Sequence, residues 1–184
     1  MLSVIKLGGS LLATEQLREC LRTIQQRPGR IAIVTGGGVF AEQVRRQQRH
    51  WQFDDVTAHR MALLAMQQMA LLCHGLMPEF SLFQRVADFA DVVRIGLWMP
   101  QVVELDAANI PASWAITSDS LAAWLAGQLR ADSLDIVKAA PIDRQADWST
   151  LQAQGLLDEA FLRIADPKRY TINVLSQQHF VAAS

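Results

Sequence analysis

Val4-Ile5-Lys6-Leu7-Gly8-Gly9-Ser10 is an apolar run that ends in two glycines, and a second run, Ile31-Ala32-Ile33-Val34-Thr35-Gly36-Gly37-Gly38, ends in three. Short apolar runs bounded by glycines are typical of buried β-strands. One helical pattern, over residues 15–26, separates the two runs. Together they predict a β-α-β unit whose strands lie parallel, with both glycine turns at the same edge of the sheet.

Both glycine turns are candidate anion-binding sites. Consecutive glycines let the backbone approach a ligand closely and leave amide groups bare to donate hydrogen bonds. Each turn leads into a helix, and the first amides of a helix favour a phosphate or a carboxylate. Two such turns side by side predict a reaction that joins two anions, which points to phosphoryl transfer.

Size, charge and cysteine content narrow the class of protein. The chain has 184 residues, half of them hydrophobic, which is enough for one domain with a full core. The formal net charge of −1 argues against a nucleic-acid partner, because no positive surplus exists to neutralise a phosphate backbone. Only two cysteines occur, Cys20 and Cys73, and together with the absence of a signal-peptide pattern in residues 1–12 they indicate the reducing cytoplasm.

Residues 61–78 form the segment that comes nearest to a membrane span, because they carry no charged side chain. Gln67, Gln68 and His74 interrupt the segment, and its Ala, Leu and Met residues suit a helix that is covered on most sides. We therefore expect no membrane partner, and a helix that is buried or lies at a subunit interface.

Strand and helix patterns alternate along the chain. Strands are predicted at residues 3–7, 30–35, 92–95, 101–104, 134–138 and 171–174. Helices are predicted at residues 15–26, 40–49, 56–76, 118–129 and 158–164, with Thr117 or Ser118 as the N-cap of the fourth. Residues 139–155 are the least regular and indicate a loop or a weak domain boundary. The alternation predicts an α/β fold, a three-layer α/β/α sandwich around a mainly parallel sheet.

Three charged residues fall where this sheet would present a ligand site. Lys6 lies in the first strand just before its glycines, Lys138 ends a later strand, and Asp119 opens the fourth helix. A lysine in apolar surroundings needs a counter-charge, so an aspartate held between two lysines is the expected arrangement. Each residue alone has a plainer explanation, namely an edge-strand lysine, a helix start or an isolated surface charge, and the triple glycine alone is often a flexible turn.

Other chemistries find little support in the sequence. No Walker-type pattern, G-x-G-x-x-G or G-x-S-x-G is present. The four histidines show no zinc-ligand spacing, so no metal-ligating residue is predicted. Cys73 and His74 are adjacent on a predicted helix and point apart, which excludes them as a catalytic dyad.

Four motifs resemble those of the amino-acid kinase family, which includes carbamate, acetylglutamate, aspartate, uridylate and isopentenyl phosphate kinases. They are listed in chain order as Lys6-Leu7-Gly8-Gly9-Ser10, Thr35-Gly36-Gly37-Gly38, Thr117-Ser118-Asp119-Ser120-Leu121-Ala122-Ala123 and Ile136-Val137-Lys138-Ala139. The resemblance implies an α/β/α fold, ATP with Mg²⁺, a small-molecule acceptor, and a homodimer or larger homo-oligomer. It also implies one domain over residues 1–184, with an acceptor part at 1–115 and a shortened nucleotide part at 116–184.

The same resemblance implies a role for each site residue. Lys6 and Lys138 would stabilise the transferring phosphoryl group, and Asp119 would organise the two lysines. The ATP-binding residues implied are Gly8, Gly9, Ser10, Lys138 and Asp143, and the acceptor-binding residues are Gly36, Gly37, Gly38, Glu42 and Asp55. No general base is needed, because the acceptors of the family are already ionised carboxylates or phosphates.

The branch within the family is less sharply marked. Residues 57–64 and the pair Lys138-Ala139 resemble uridylate kinases, but Glu42 stands where those enzymes carry an arginine that grips the nucleotide phosphate. Residues 36–45 instead resemble a subgroup tied to methanopterin and methanofuran biosynthesis, which phosphorylates aminomethylfuranyl-methyl phosphate. An acceptor with an ammonium group would favour a carboxylate such as Glu42, Asp54 or Asp55.

The sequence departs from the family after Lys138. The family continues through an aspartate-glycine-aromatic segment and a loop that walls the adenine, whereas this chain has Ile142-Asp143-Arg144 and then Gln145-Ala146-Asp147-Trp148. Either Trp148 and its neighbours form a reduced nucleotide pocket or the ATP site is impaired. A non-catalytic nucleotide-binding protein is therefore the alternative to a kinase.

Overall fold

The computed structural model describes residues 1–13, 15–143 and 145–183, the side chains of residues 12 and 13 excepted. In this described part, six parallel strands form one sheet in the order β3-β4-β2-β1-β5-β6. The strands are β1 (Leu2–Leu7), β2 (Arg30–Thr35), β3 (Ser81–Phe83), β4 (Ile95–Trp98), β5 (Ser133–Lys138) and β6 (Thr171–Ser176). An all-parallel sheet confirms the predicted fold class.

Helices cover both faces of the sheet. They are α1 (Gln16–Gln26), α2 (Gly38–Trp51), α3 (Asp55–Leu76), α4 (Val102–Ala107), α5 (Ser118–Leu129), α6 (Trp148–Ala153), α7 (Phe161–Ile164) and α8 (Gln177–Ala182), with 3-10 turns at Gly9–Ala13 and Val86–Asp91. Successive residues of β1 point to opposite faces, so Val4 packs in the core beneath α5 and Ile5 packs in the core beneath α1. Both faces of the central strands are therefore buried, as a three-layer sandwich requires.

Several predicted elements differ from those observed. Residues 101–104 form the start of α4 and not a strand, and Val103 is 80% exposed there. The strand predicted at 92–95 is found at Ile95–Trp98, because Val92 ends a 3-10 turn and packs into the core from there. The short edge strand β3 and helix α8 had no sequence signal that we recognised.

The C-terminal region is more regular than its sequence indicates. Residues 139–155 contain α6, whose N-cap Asp147 accepts a hydrogen bond from the Thr150 amide. The helix predicted at 158–164 is confined to α7, because Asp158 is bonded elsewhere. Arg144, which belongs to the segment where the sequence departs from the family, lies outside the described residues.

The uncharged segment 61–78 lies almost entirely within α3. One side of this helix is buried against the sheet, where the Thr35 hydroxyl donates to the Met66 carbonyl. In the described part of the chain, no helix is both long and apolar enough to cross a membrane. The helix is therefore buried on one side only, and Leu64 and Leu71 are half exposed on another.

The two glycine turns pack directly against each other at the carboxyl ends of β1 and β2. A Cβ atom on Gly9 would stand 2.7 Å from the Cα of Gly38 and still closer to its amide nitrogen, and a Cβ on Gly36 would stand 2.6 Å from the Gly9 nitrogen. Gly38 has φ +55°, a conformation that L side chains rarely adopt. Backbone-to-backbone contact therefore requires glycine at these positions.

We predict that Gly9→Ala lowers the free energy of unfolding by several kcal/mol, because the new methyl group meets backbone that cannot rotate away. Gly127→Ala is the matched control: it lies in α5 with open space around the new Cβ atom, so we expect it to stabilise the protein by about 0.5–1 kcal/mol. Urea unfolding of both variants measures the difference. Equal stability of the two variants would contradict the contact.

Candidate active site

Three elements bring the predicted charged residues together. Lys6 is the next-to-last residue of β1, and Lys138 is the last residue of the neighbouring strand β5. Asp119 is the second residue of α5, which packs on β1. Because β1 lies between β2 and β5, Lys6 is in the middle of the sheet, which excludes the edge-strand explanation.

Asp119 forms an ion pair with each lysine through a different oxygen. Its Oδ1 lies 2.8 Å from the Lys6 Nζ, and its Oδ2 lies 2.7 Å from the Lys138 Nζ. The side chains of Lys6 and Asp119 are each 5% exposed, and that of Lys138 is 15% exposed. We call these three residues the Lys-Asp-Lys triad. It carries one net positive charge at the carboxyl edge of the sheet.

The triad perturbs the protonation of its members. Burial alone would raise the pKa of Asp119, but Lys6 and Lys138 outweigh it and hold this pKa at about 2. Burial lowers the pKa of Lys138 to about 8, and repulsion by Lys6 adds to the effect. The carboxylate is therefore always charged at neutral pH, whereas Lys138 is close to losing its proton.

Asp158 fixes the start of α5, which carries Asp119. Its Oδ2 accepts hydrogen bonds from the amides of Thr117 and Ser120, both at 2.8 Å. Thr117 is the N-cap residue, as predicted, but its side chain makes no capping bond, and the distant carboxylate takes that place. Burial and the charge of Asp119 raise the pKa of Asp158.

The glycine amides are not all free. The Gly8 amide donates to the Val137 carbonyl at 2.9 Å, and the Gly36 amide donates to the Leu7 carbonyl at 2.8 Å. The expectation of bare amides is therefore wrong for these two residues, which extend the pairing of the strands. Gly9, Ser10, Gly37 and Gly38 remain as candidate donors to an anion.

A cavity of about 370 Å³ opens beside the glycine turns, between α2, α3 and the start of α5. We call it the acceptor-side cavity. Its polar lining includes Glu42, as predicted. Asp55 is not among the lining residues, because it begins α3 on the surface, where its carboxylate accepts from the Gln48 side chain. We therefore remove Asp55 from the site; Asp54 caps α3 through the Thr57 amide.

The cavity also contains residues that the sequence reasoning missed. The Arg45 guanidinium lies 3.7 Å from the centre of the Trp114 ring, and the Trp114 indole donates to Gln48 at 2.7 Å. Arg45 stands three residues after Glu42 on α2, so the helical repeat could have placed both on one face. His59 lines the same cavity from α3. It lies within the run 57–64 that resembles uridylate kinases, but that resemblance gave it no role.

A second cavity, of about 230 Å³, lies against the edge strand β6, four of whose residues line it. Asp143 and Asn173 supply polar groups, and its apolar walls are Ile142, Ala146, Trp148, Leu151, Ile172, Val174 and Leu175. We call it the donor-side cavity. Trp148 therefore does help to form a pocket.

The described residues contain no group of three or more His, Cys, Asp or Glu side chains arranged to hold a metal ion. Both oxygens of Asp119 are already ion-paired with lysines. The described part of the chain thus offers no all-protein Mg²⁺ cage, and a Mg²⁺ ion here would depend on oxygens from a bound phosphate chain.

Comparison with known proteins gives concordant results. The amino acid kinase family model matches residues 1–141. A [5-(aminomethyl)furan-3-yl]methyl phosphate kinase from Methanocaldococcus jannaschii is 25% identical over 144 residues, a match that covers 76% of this chain and 66% of that protein. The chain thus spans slightly less than two thirds of the length of this curated relative.

Solved structures with the same fold include two kinases. Uridylate kinase from Archaeoglobus fulgidus superposes with a TM-score of 0.74 at 18% identity, covering 100% of this chain and 95% of that chain. Aspartate kinase from Synechocystis gives a TM-score of 0.74 at 16% identity, covering 97% of this chain and 38% of that chain. At these identities the similarity establishes the fold.

Proposed function

This chain belongs to the amino acid kinase family, and we propose on that ground that it transfers the terminal phosphoryl group of ATP to a small acceptor bearing a phosphate or a carboxylate. The observation that carries the proposal is the Lys-Asp-Lys triad, which is buried at the carboxyl ends of the strands, where the two glycine turns meet. Two ammonium groups held by one carboxylate form a preorganised positive site, which is the main requirement for stabilising a phosphoryl transition state.

In the proposed reaction, an ionised oxygen of the acceptor attacks the terminal phosphorus of ATP, and the bond from that phosphorus to the bridging oxygen breaks to release ADP. Lys6 and Lys138 neutralise the charge that spreads over the transferring group. Asp119 holds the two ammonium groups side by side against their mutual repulsion. No proton has to be removed from an ionised acceptor, so the chain needs no general base.

We assign the donor-side cavity to the nucleotide. Asp143 and Trp148, which line it, follow β5 in the chain, and β5 ends at Lys138. Gly9 and Ser10 would donate to the phosphates. ATP would arrive with Mg²⁺ on its own phosphate oxygens, where the ion supplies further neutralisation of charge.

We assign the acceptor-side cavity to a phosphorylated acceptor, with aminomethylfuranyl-methyl phosphate as the first choice. Arg45 is a cation suited to the phosphate of this molecule, and Glu42 is an anion suited to its ammonium group. Gly37 and Gly38 would donate to the same phosphate. The M. jannaschii relative acts on this compound by name. UMP is the alternative acceptor, and Glu42 disfavours it because a carboxylate repels a nucleotide phosphate.

The two cavities support the proposed division of one domain into two parts. The donor-side cavity is lined entirely by residues after 141, and most of the acceptor-side lining precedes residue 116. We also propose a cytoplasmic location, since Cys20 and Cys73 are both buried free thiols and ATP is the donor.

We propose that the protein is a homodimer joined through α3. Leu64 and Leu71 are 53% and 49% exposed, and two helical turns separate them, so they lie on one face. We predict that light scattering gives twice the chain mass for the wild type and the monomer mass for the double variant Leu64→Glu, Leu71→Glu. Val103→Glu, at an exposed position of α4, is the control and should stay dimeric. A monomeric wild type would refute this interface.

We predict that Lys6→Ala lowers kcat for phosphoryl transfer on the order of a hundredfold or more, because it removes one of the two cations at the transferring group. The measurement is ADP release with Mg-ATP and each of the two candidate acceptors. Lys168→Ala is the control, since Lys168 is the one other lysine of the chain and lies exposed in the segment before β6.

Calorimetric titration with Mg-ATP separates the kinase from its non-catalytic alternative. Binding that weakens in Lys6→Ala, together with measurable transfer, supports the kinase. Binding of ATP without transfer to any phosphorylated or carboxylate acceptor would favour a nucleotide-binding protein without turnover. Wild-type kcat in Lys6→Ala, with circular dichroism unchanged, would remove Lys6 from the mechanism.

We predict that kcat/KM for ATP falls as the pH rises through about 8, because Lys138 then loses its proton and its positive charge. In the pH profile of kcat the same decrease should occur at higher pH, since bound phosphates favour the ammonium form of Lys138. Lys138→Arg keeps the charge at every accessible pH, so its weaker activity should show no limb near pH 8. An identical limb in both proteins would assign it to another group.

A further inference from the structure

His59 is a buried polar residue with an unsatisfied ring nitrogen at the acceptor-side cavity. It lies on α3, is 4% exposed, and lines the cavity together with Glu42 and Arg45. Its Nε2 has no hydrogen-bond partner among the described residues. Burying a nitrogen without a hydrogen-bond partner is unfavourable, so such atoms are rare in folded proteins unless a ligand completes them.

The surroundings of His59 determine what its Nε2 can offer. The backbone carbonyl of Ile116 lies close enough to the ring to raise the pKa of His59. A carbonyl can only accept, so we assign the proton of the neutral ring to Nδ1 and leave the unpartnered Nε2 without one. Burial lowers the pKa of His59. Two charged groups nearby act in opposite directions: Asp106 raises this pKa and Arg60 lowers it. In the neutral ring, Nε2 therefore carries the free lone pair and accepts a hydrogen bond.

Part of the adjacent wall offers no partner for that lone pair, although Ser10, Thr117 and Ser118 also line the cavity. The neighbouring lining residues Leu63, Met66 and Leu121 are apolar and buried. The cavity thus has an acceptor nitrogen from His59 and a carboxylate from Glu42, and a guanidinium from Arg45. A ligand that matches these groups carries an anionic group and a hydrogen-bond donor with positive charge.

We infer that Nε2 of His59 is a substrate-binding atom that accepts a hydrogen bond from a primary amine on the phosphorylated acceptor. This inference rests on the proposed function and deepens it, because it restricts the acceptor to small phosphomonoesters that carry an amine. His59 selects the amine through its lone pair, whereas Glu42 attracts it through charge. The phosphate of the same molecule faces Arg45 and the glycine amides.

The test compares two probes that differ only at the amine. One is aminomethylfuranyl-methyl phosphate, and the other is the analogue in which a methyl group replaces the aminomethyl group. Their dissociation constants are measured by calorimetry for the wild type, His59→Leu and His59→Gln, and KM and kcat are measured where turnover occurs. Leucine removes the acceptor atom, and the glutamine side chain can restore an amide oxygen near the position of Nε2.

We expect His59→Leu to weaken binding of the amine probe about tenfold, the worth of one buried hydrogen bond, and to change binding of the methyl analogue less than about twofold. KM for the amine probe should rise with kcat and the KM for ATP nearly unchanged. His59→Gln should recover part of the lost affinity. The methyl analogue also serves as the folding control, since a collapsed cavity would lose both probes.

The outcomes separate the inference from the proposed function. Phosphate transfer by the wild type, with equal effects of His59→Leu on both probes, overturns the role of His59 and leaves the kinase intact. Selective loss of amine binding without any transfer supports the role of His59 and refutes the kinase. If the wild-type protein binds UMP but does not bind the amine probe, the inference is overturned.

Discussion

The carboxylate of Asp119 is the interaction on which the site depends, because it holds two ammonium groups that would otherwise repel each other. Lys6 and Lys138 come from neighbouring parallel strands, so the sheet places their nitrogens close together whether or not a counter-charge is present. Burial makes the repulsion costly, and Asp119 removes most of that cost while leaving one positive charge for a ligand. The order of the strands and the position of α5 thus place Asp119 between the two lysines, and its charge partly balances theirs.

The backbone imposes a second constraint beside the first. The glycine turns after β1 and β2 touch, and a side chain on Gly9 or Gly36 would force them apart. Close contact brings the amides of the two turns to the wall of the acceptor-side cavity. Lys6 lies in β1 just before the first turn, so the triad and the turns share the carboxyl ends of the central strands, where a bound anion would meet both.

The sequence predicted the parallel sheet, the glycine turns, and the residues Lys6, Asp119 and Lys138, because strand ends and local motifs locate them without knowledge of packing. It did not predict Arg45 or His59, since the faces that α2 and α3 turn toward the cavity are set by tertiary contacts. The strand assigned to residues 101–104 is helical for a similar reason: a β-branched pair favours a strand locally, but Val103 faces solvent on α4. Asp158 had no local signal, because its partners Thr117 and Ser120 lie about forty residues earlier.

That long-range bond also sets the order in which the molecule can mature during synthesis. The amides at the start of α5 stay without their carboxylate until residue 158 has left the ribosome, and Lys138 emerges before it. A nascent chain that has completed β1, β2 and both glycine turns still holds Asp119 on an uncapped helix end. The start of α5, and with it the position of Asp119, is therefore fixed by a carboxylate that lies in the C-terminal part of the chain.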